Sequence, residues 1–569
     1  MSRKKKSRNR QPVQAAVKAP LADGSKVGIS AQRWAHRLAP FLVALVTLAA
    51  FLPTLQNQFV TWDDGKNFLD NPHYRGLGWS QLRWMWTTLH MGHWIPLTWI
   101  TLGLDYLLWG MNPLGYHLSN LLLHAANAAV FFFVVRRILT LALPSPSKRG
   151  HALAVSAGFA ALVFAIHPLR VESVAWVTER RDVLSGLFYL LAILVYLRAC
   201  DRGDRGRGWY WGSVGLFVCA LLSKSMVMNL PIVLLILDVY PLRRLGGGSG
   251  WWSEPARRVY VEKIPFVLLA AAVSTIAFMA QVSVHAALPP LAQLSMLARL
   301  AISAYGLSFY LWKMVVPVNL SPLYELRPTV DPGATPFILS YGVVVAITAI
   351  VLTLRRRVPG LLAAWVAYAV VLLPVLGIIQ SGPQIAADRY TYLASLGWAI
   401  LTGAGLLSCW PTPGRSKTGA PTALPIAGVA ICVVVGLGVL TWNQAHLWHD
   451  SETLWTHVLA TYPQSSIAEN NLGVVLTDQG KPAEAIEHFR QALQMGPDYA
   501  ETHNNWGNAL ARQGKLAEAI QHYQQALQLK PDYAEAQYNW GVVLAQQGKL
   551  AEAIEHYRQA AGRYGQKVE

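Results

Sequence analysis

Two adjacent carboxylates follow the first apolar segment of the chain, in the motif Trp62-Asp63-Asp64. One carboxylate of such a pair can act as a general base on an acceptor hydroxyl, while the other positions it or holds a cation. A helix N-cap or a solvated turn would use the same residue types without any chemistry. The tryptophan-rich amphipathic stretch at 79–86 favours the chemical interpretation, so Asp63 and Asp64 are the candidate catalytic residues.

A second group of charged residues lies in a short segment between two apolar runs. Its candidate donor-binding residues are His167, Glu172, Arg180, Arg181 and Asp182. The planar guanidinium of arginine forms paired hydrogen bonds with phosphate, so the segment suits binding of a phosphate or a sugar. An internal salt-bridge network that anchors the segment is equally compatible with the spacing.

Three further candidates stand beside apolar runs. Lys224 lies between two of them, where an ammonium group needs an anion or must extend to the interface. Arg389 and Tyr390 suit a lipid phosphate, although Asp388 before them is also a good cap for a helix start. The four cysteines show no metal-ligand spacing, and no structural disulfide is expected. The residues allow a divalent cation but do not require one.

The elements that carry these residues are predicted to cross a membrane. Hydrophobic residues make up 53% of the 569 residues and charged residues only 14%, whereas a soluble protein carries about 25% charged residues. The apolar runs are long enough to span a hydrocarbon core of about 30 Å. We predict eleven spans, near 38–56, 115–136, 152–167, 183–199, 209–222, 226–240, 264–282, 336–354, 360–379, 392–409 and 424–442.

The orientation follows from the basic residues. With the basic tail 1–37 placed in the cytoplasm, every cluster of Lys and Arg in the short loops falls on the same side, as the positive-inside rule requires. This parity holds only if 94–110 and 296–316 are helices that lie in the interface instead of crossing it. The charge of +18 is then explained by membrane orientation, so no nucleic-acid partner is expected.

The C-terminal part has a different architecture, because Gly473, Gly507 and Gly541 recur every 34 residues. This period is typical of tetratricopeptide repeats, which form an α-solenoid. We place three repeats at 466–567, after a half-repeat junction at 443–465 that joins the solenoid stiffly to the membrane domain 38–442. Asn471, Asn505 and Asn539 occupy the same position in each repeat and are the candidates for binding an extended acceptor chain through its backbone. Bonding within the repeats is the alternative role for these amides.

Several of these motifs together resemble the transmembrane and tetratricopeptide-repeat O-mannosyltransferases and their prokaryotic relatives. The motifs are Trp62-Asp63-Asp64, Pro96-Leu97-Thr98, His117 to His124, His167-Pro168, Glu172 to Trp176 with Arg180 and Asp182, and Asp388-Arg389-Tyr390. The resemblance implies an all-α, C-type glycosyltransferase fold that takes a sugar from a polyprenyl phosphate on the outer or lumenal face. It also implies that Asp63 or Asp64 supplies the base, and that Arg180, Arg181 and Arg389 bind the lipid phosphate.

Three functions are therefore compared. The first is inverting transfer of a sugar to Ser or Thr hydroxyls of proteins, with the repeats binding the acceptor. The second is a related glycosyltransferase that modifies an envelope glycan or lipid. The third is a membrane scaffold or transporter without enzymatic activity, which is disfavoured because the polar residues gather in outer loops. A bacterial inner membrane with periplasmic repeats is the predicted location, and an endoplasmic reticulum membrane with lumenal repeats has the same topology.

Overall fold

The computed structural model describes residues 38–143, 150–247, 250–284, 294–326, 329–378, 382–410, 423–496 and 499–566. The basic tail 1–37 and the predicted inside residues Lys148, Arg149, Arg415 and Lys417 lie outside the described residues.

The described chain is built from helices. In the membrane domain they are α1 (Leu38–Ala50), α2 (Trp79–Thr87), α3 (Pro96–Trp109), α4 (Pro113–Ala142), α5 (Gly150–Ala165), α6 (Val171–Ala175), α7 (Arg180–Arg202), α8 (Arg207–Ser223), α9 (Leu230–Val239), α10 (Glu254–Val261), α11 (Ile264–Val284), α12 (Met296–Val315), α13 (Thr335–Leu354), α14 (Pro359–Leu372), α15 (Thr391–Ala394), α16 (Leu396–Cys409) and α17 (Ala423–His446). Two short strands, β1 (Tyr324–Glu325) and β2 (Gln384–Ala386), pair antiparallel. The predicted all-α class is confirmed, with this ribbon as a small addition.

The solenoid continues the chain with helix pairs. Its helices are α18 (Ser451–Thr461), α19 (Ser466–Asp478), α20 (Pro482–Met495), α21 (Ala500–Arg512), α22 (Leu516–Leu529), α23 (Ala534–Gln546) and α24 (Leu550–Gln566). Packing explains the glycine period. A Cβ atom on Gly473, Gly507 or Gly541 would lie within 2.6 to 2.8 Å of the ring of Phe489, Tyr523 or Tyr557 in the partner helix. Only glycine allows the two helices of each repeat to approach so closely.

Among the described residues, five helices are long and apolar enough to cross a membrane. They are Pro113–Ala142, Val177–Arg202, Glu254–Ser283, Thr335–Leu354 and Pro425–His446, and the number rises to seven if two bent helix pairs each count as one span. Three further predicted spans correspond to shorter apolar helices, at Leu38–Ala50, Ser225–Val239 and Pro359–Val375. The count of eleven is therefore not confirmed. Neither α3 nor α12, which were excluded from the predicted spans, is among the candidates, but α8, which corresponds to the predicted span 209–222, is not among them either.

The two bent pairs place functional residues at breaks in the helices. The chain turns by 56° between α5 and Pro168–Ala175, and by 57° between Asp388–Ala394 and α16. Pro168 contributes to the first break because proline has no backbone N–H to continue the helix. Non-helical backbone at such a depth is tolerated where it is buried in protein or lines a cavity. Both breaks therefore bring polar segments into the protein interior at one end of the bundle.

The loops separate into two groups by their contacts. Segments predicted to lie outside bond to one another, as Asp64 does to Thr178, Lys224 to Asp182 and Arg389 to Glu172. Segments predicted to lie inside do the same, with ion pairs between Arg137 and Asp201 and between Arg244 and Glu262. Helix α4 has 30 residues and is about 45 Å long, enough to keep the two groups at opposite ends.

Candidate active site

The Asp64 side chain is held in place by hydrogen bonds from neighbouring residues. Its side chain is buried and accepts hydrogen bonds from the Val60 amide (3.1 Å), the Thr178 amide (3.1 Å) and the Thr178 hydroxyl (2.6 Å). Burial raises the pKa of this carboxyl to about 7, against the opposing effect of these hydrogen bonds. Asp64 therefore joins the loop that follows α1 to the segment before α7.

Asp63 is placed differently. Its side chain is half-buried and, within the described part of the chain, forms no hydrogen bond or ion pair. Burial raises its pKa, while the nearby charges of Arg181 and Arg389 act in the opposite direction. Of the two adjacent carboxylates, Asp63 is thus the one with oxygen atoms free for a substrate.

This difference predicts that replacing the two residues has unequal effects on stability. Changing Asp64→Ala should destabilise the protein by several kcal/mol, because each of three buried donors would lose its acceptor at a cost of about 1–3 kcal/mol. Changing Asp63→Ala should leave stability within about 1 kcal/mol of the wild type, since no described group depends on it. Thermal unfolding of the two variants in the same detergent tests this, and an equal shift of both midpoints would contradict the assignment.

A buried carboxylate organises the cations of the site. Glu179 has no exposed surface and accepts from Arg181 (2.7 Å) and from Lys224 (2.9 Å), with the Arg389 Nε 3.4 Å away. Lys224 also donates to Asp182 (2.6 Å). The internal network considered for this segment thus exists, and it gathers three of the predicted donor-binding cations around one carboxylate.

Arg389 joins this cluster to the segment that follows α5. Its backbone N–H donates to Glu172 (2.7 Å), and its guanidinium forms an ion pair with the same carboxylate. The guanidinium carbon also lies over the rings of Trp176 (5.5 Å) and Tyr390 (5.1 Å). The Tyr390 hydroxyl accepts from Gln384 (2.7 Å), so the residue is held by its own neighbours.

Two predicted binding residues lie away from this cluster. The Arg180 guanidinium is buried and donates to Asp105 (2.6 Å), to the Tyr116 carbonyl (2.9 Å) and to Asn120. His167 accepts from the Leu169 amide (3.2 Å), and its other ring nitrogen lies 3.0 Å from the Met314 carbonyl. Both side chains are therefore occupied by contacts that stabilise the loops.

Two cavities share part of their lining, and one of them borders the cation cluster. The smaller, of about 20 Å³, is lined by Asp182, Lys224, Arg389 and Tyr390 among others. The larger, of about 150 Å³, is lined almost entirely by apolar side chains of α4, α7, α9, α14 and α16. Val371 and Leu393 line both. We call them the charged cleft and the apolar groove. The charged cleft and the apolar groove are therefore neighbours in the fold.

The repeat asparagines form a ladder together with the residues before them. Asn505 donates to Asn470 (3.1 Å) and Asn539 donates to Asn504 (3.0 Å), so each bond connects one repeat to the previous one. Within a repeat, Asn470 donates to Asn471 (3.2 Å). The predicted ladder residues are thus aligned by their neighbours, and each half-buried amide retains further hydrogen-bonding capacity.

Sequence reasoning did not select several residues that the structure brings to the site. Glu179 was visible beside Arg180 and Arg181, but its role as the shared partner of three cations depends on residues up to 210 positions away. Trp176 lies under Arg389, and its place in the His167–Asp182 segment was the only signal. Among the described residues, no group of three His, Cys, Asp or Glu side chains is arranged to hold a metal ion.

Comparisons with known proteins agree with this architecture. Family models described as "TPR repeat" match residues 473–514 and 507–548, and one described as "Tetratricopeptide repeat" matches 535–566. The fold and the site therefore define a membrane protein with several apolar helices, a buried charged site and C-terminal tetratricopeptide repeats. Among solved structures, the crystal structure of MamA aligns over 26% of this chain with 18% identity and a TM-score of 0.20.

The homologues of this chain are protein O-mannosyl-transferases. Protein O-mannosyl-transferase TMTC1 of Homo sapiens is 27% identical over 520 residues, covering 81% of this chain and 55% of that protein. Protein O-mannosyl-transferase TMTC4 of Mus musculus is 27% identical over 506 residues, covering 79% and 66%. TMTC2 of Homo sapiens is 31% identical over 219 residues, covering 37% and 25%. The chain thus spans about half the length of the first of these relatives.

Proposed function

We propose that the protein transfers a sugar from a polyprenyl phosphate to Ser or Thr hydroxyls of proteins, on the outer face of the membrane. The observation that carries the proposal is the junction of the charged cleft with the apolar groove. A polyprenyl-phosphate sugar has the same division, with an anionic head and a long apolar tail. The names of the homologues support mannose as the sugar and protein as the acceptor.

The lipid phosphate would lie in the charged cleft. Lys224 and Arg389 line it, and Arg181 is joined to both through Glu179. Arginine and lysine bind phosphate by paired hydrogen bonds and by charge, respectively. We assign Arg180 and His167 to positioning of the loops, because their side chains are bonded elsewhere. Glu172 and Asp182 would hold Arg389 and Lys224 in place.

In the reaction, Asp63 accepts the proton of the acceptor hydroxyl. The hydroxyl oxygen attacks the anomeric carbon from the face opposite the phosphate and forms the new glycosidic bond with inversion. The bond from the anomeric carbon to the phosphate oxygen breaks, and its electron pair leaves on polyprenyl phosphate. The nearby cations stabilise the charge that develops on this leaving group. Stabilisation of developing charge by fixed groups is usually the largest single contribution to an enzymatic rate enhancement.

The repeats would present the acceptor. Their asparagine ladder offers both donors and acceptors at regular spacing, which suits the backbone of an extended chain and tolerates different side chains. The test of the function is direct. Purified protein in lipid nanodiscs is incubated with polyprenyl-phosphate mannose and an acceptor protein, and hexose on Ser or Thr is measured by mass spectrometry. Absence of modification with mannose and with every other sugar donor tested would refute the proposal.

The apolar groove gives a second, separate prediction. Changing Ala367→Phe on α14 would fill the groove, because Ala367 is one of the small residues that line it. We expect the KM for a long-chain polyprenyl donor to rise at least about 10-fold, since burial contributes about 0.8 kcal/mol per CH₂ group. Donors with only two isoprene units should be affected much less.

The matched control is Ala369→Phe, which adds the same ring on the same helix at a position that does not line the groove. Steady-state kinetics with both donors distinguish the variants. Equal effects on long and short donors, or equal effects of the two substitutions, would show that the groove does not hold the tail.

A further inference from the structure

The loop that carries Asp63 is held by the C-terminal part of the chain. The Gln58 amide donates to the His449 carbonyl (2.7 Å). The amide and the hydroxyl of Thr61 both donate to the Ser451 hydroxyl oxygen (2.6 and 2.7 Å). The Trp455 indole N–H donates in turn to the Thr61 carbonyl (3.1 Å). Ser451 and Trp455 belong to α18, the helix that precedes the first repeat.

Aromatic packing extends this contact towards the cations. Trp62 stacks on Trp176 (4.6 Å between ring centroids, 15° between planes) and meets Trp455 edge to face (5.3 Å). Trp176 lies under the Arg389 guanidinium (5.5 Å). Trp455 is fully buried and forms part of the apolar core of the first repeat. A continuous row of side chains therefore runs from that core, past the residue before Asp63, to Arg389.

A second set of hydrogen bonds connects the first repeat to the segment that contains Arg389. Both carboxylate oxygens of Glu325 accept from serine hydroxyls at the start of α19, Ser465 and Ser466 (2.7 Å each). Glu325 lies in β1, which pairs with β2 just before Asp388. The hydroxyl of the adjacent Tyr324 donates to Asp388 (3.0 Å). The segment that leads into Arg389 is thus also bonded to the first repeat.

We propose that α18 and the start of α19 are a positioning element of the reaction centre, with Ser451 and Trp455 holding the Asp63 loop in place. The repeats then do more than bind the acceptor, because their first helices set where the base stands relative to the cations. A displacement of about 1 Å at a reacting group can lower a rate about 100-fold. This inference rests on the proposed function for its kinetic readout.

The test uses Ser451→Ala, which removes the acceptor of both Thr61 donors. We expect kcat to fall about 10- to 100-fold with a full-length acceptor protein and equally with a short Ser/Thr peptide that cannot reach the repeats, while both KM values stay within about 2-fold. Ser451→Thr should recover most of the rate, because it restores the hydroxyl. The matched control is Thr461→Ala on the same helix, whose hydroxyl bonds only within α18.

A second measurement does not depend on turnover. Amide hydrogen exchange of residues 57–66 should be faster in Ser451→Ala than in the wild type and unchanged in Thr461→Ala. If Ser451→Ala is poorly folded, Trp455→Phe serves instead, since it keeps an aromatic ring in the core while it removes part of the indole together with the N–H that bonds to Thr61.

The outcomes separate the two proposals. An active wild type with Ser451→Ala matching the control in kcat and in exchange overturns the inference and leaves the proposed function intact. A rise in KM for the protein acceptor alone also overturns it, because the repeats would then act only by binding. A wild type that turns over no donor refutes the proposed function, and the exchange measurement still decides whether α18 holds the loop.

Discussion

Replacing Asp63 by asparagine should lower kcat for sugar transfer at least about 1,000-fold while the protein stays folded. A positioned general base contributes about 100- to 10,000-fold, and asparagine cannot accept the proton of the acceptor hydroxyl. Asp63 has a half-buried carboxylate that no described residue uses, so the substitution should change thermal stability little. The KM for the donor should change by less than about 3-fold, since the phosphate is held by other residues.

The matched control is Asp70→Asn, the same chemical change at an exposed position on the same loop. It should keep the activity of the wild type. An Asp63→Asn enzyme with more than about a tenth of the wild-type kcat would place the base elsewhere.

The pH dependence should carry the signature of the same group. A base works in its deprotonated form, so the rate is full above the pKa of Asp63 and is lost as the pH falls through it. Because burial raises the pKa of Asp63, this loss should occur at a higher pH than for an ordinary carboxyl group. The remaining activity of Asp63→Asn should lack this acid limb, whereas an unchanged acid limb would mean that another group titrates.

Replacing Glu179 by glutamine should strongly destabilise the membrane domain. Glu179 is completely buried and faces Arg181, Lys224 and Arg389. Removing one partner of a buried ion pair costs about 3–5 kcal/mol, because the remaining charge is left without compensation. Donor turnover should be lost as well, since the cations that would bind the phosphate lose their common anchor.

The control for Glu179 is Glu254→Gln, which breaks a largely exposed surface pair with Arg258 on α10. Exposed pairs of this kind contribute less than about 1 kcal/mol. The midpoint of thermal unfolding in detergent, followed by tryptophan fluorescence, compares the two variants. A Glu179→Gln midpoint equal to that of Glu254→Gln would show that the stability of the fold does not depend on the charge of Glu179.

Local patterns in the sequence were sufficient to predict the repeats and many of the apolar helices. The 34-residue period reflects a contact inside each repeat, between a glycine such as Gly473 and a ring such as Phe489 only 16 positions later. The number of spans was harder to predict, because a helix broken at His167-Pro168 or at Ser395 is shorter than the apolar run that contains it. Hydropathy gives the length of the apolar run in the sequence, whereas the helix itself ends where polar residues enter the protein interior.

The different contacts made by the two members of each adjacent pair, Asp63 with Asp64 and Arg180 with Arg181, could not be predicted from the sequence. Asp63 and Asp64 have the same chemistry, but the Val60 amide and Thr178, which is 114 residues away, bond to Asp64 and not to Asp63. Arg180 and Arg181 begin α7, and successive helical residues point about 100° apart. One therefore turns to Asp105 on α3 and the other to Glu179. Each outcome depends on tertiary contacts that no local pattern contains.

The contact between the repeats and the candidate site also depends on tertiary contacts that the sequence pattern does not reveal. Trp455 lies 34 residues before Phe489, at the aromatic position of the half repeat, and its burial fits a core role. Its bond to Thr61 links residues 394 positions apart, so periodicity gave no indication of it. The junction therefore joins the two parts of the chain and is also bonded to the loop that carries Asp63.

The stoichiometry and stereochemistry of a single turnover test the central claim most directly. A polyprenyl-phosphate sugar of known anomeric configuration is mixed with excess enzyme and acceptor protein, and both products are analysed. The mechanism predicts one polyprenyl phosphate released for each sugar attached to Ser or Thr, with the opposite anomeric configuration in the product. Transfer with retained configuration, or attachment of sugar without release of polyprenyl phosphate, would contradict it.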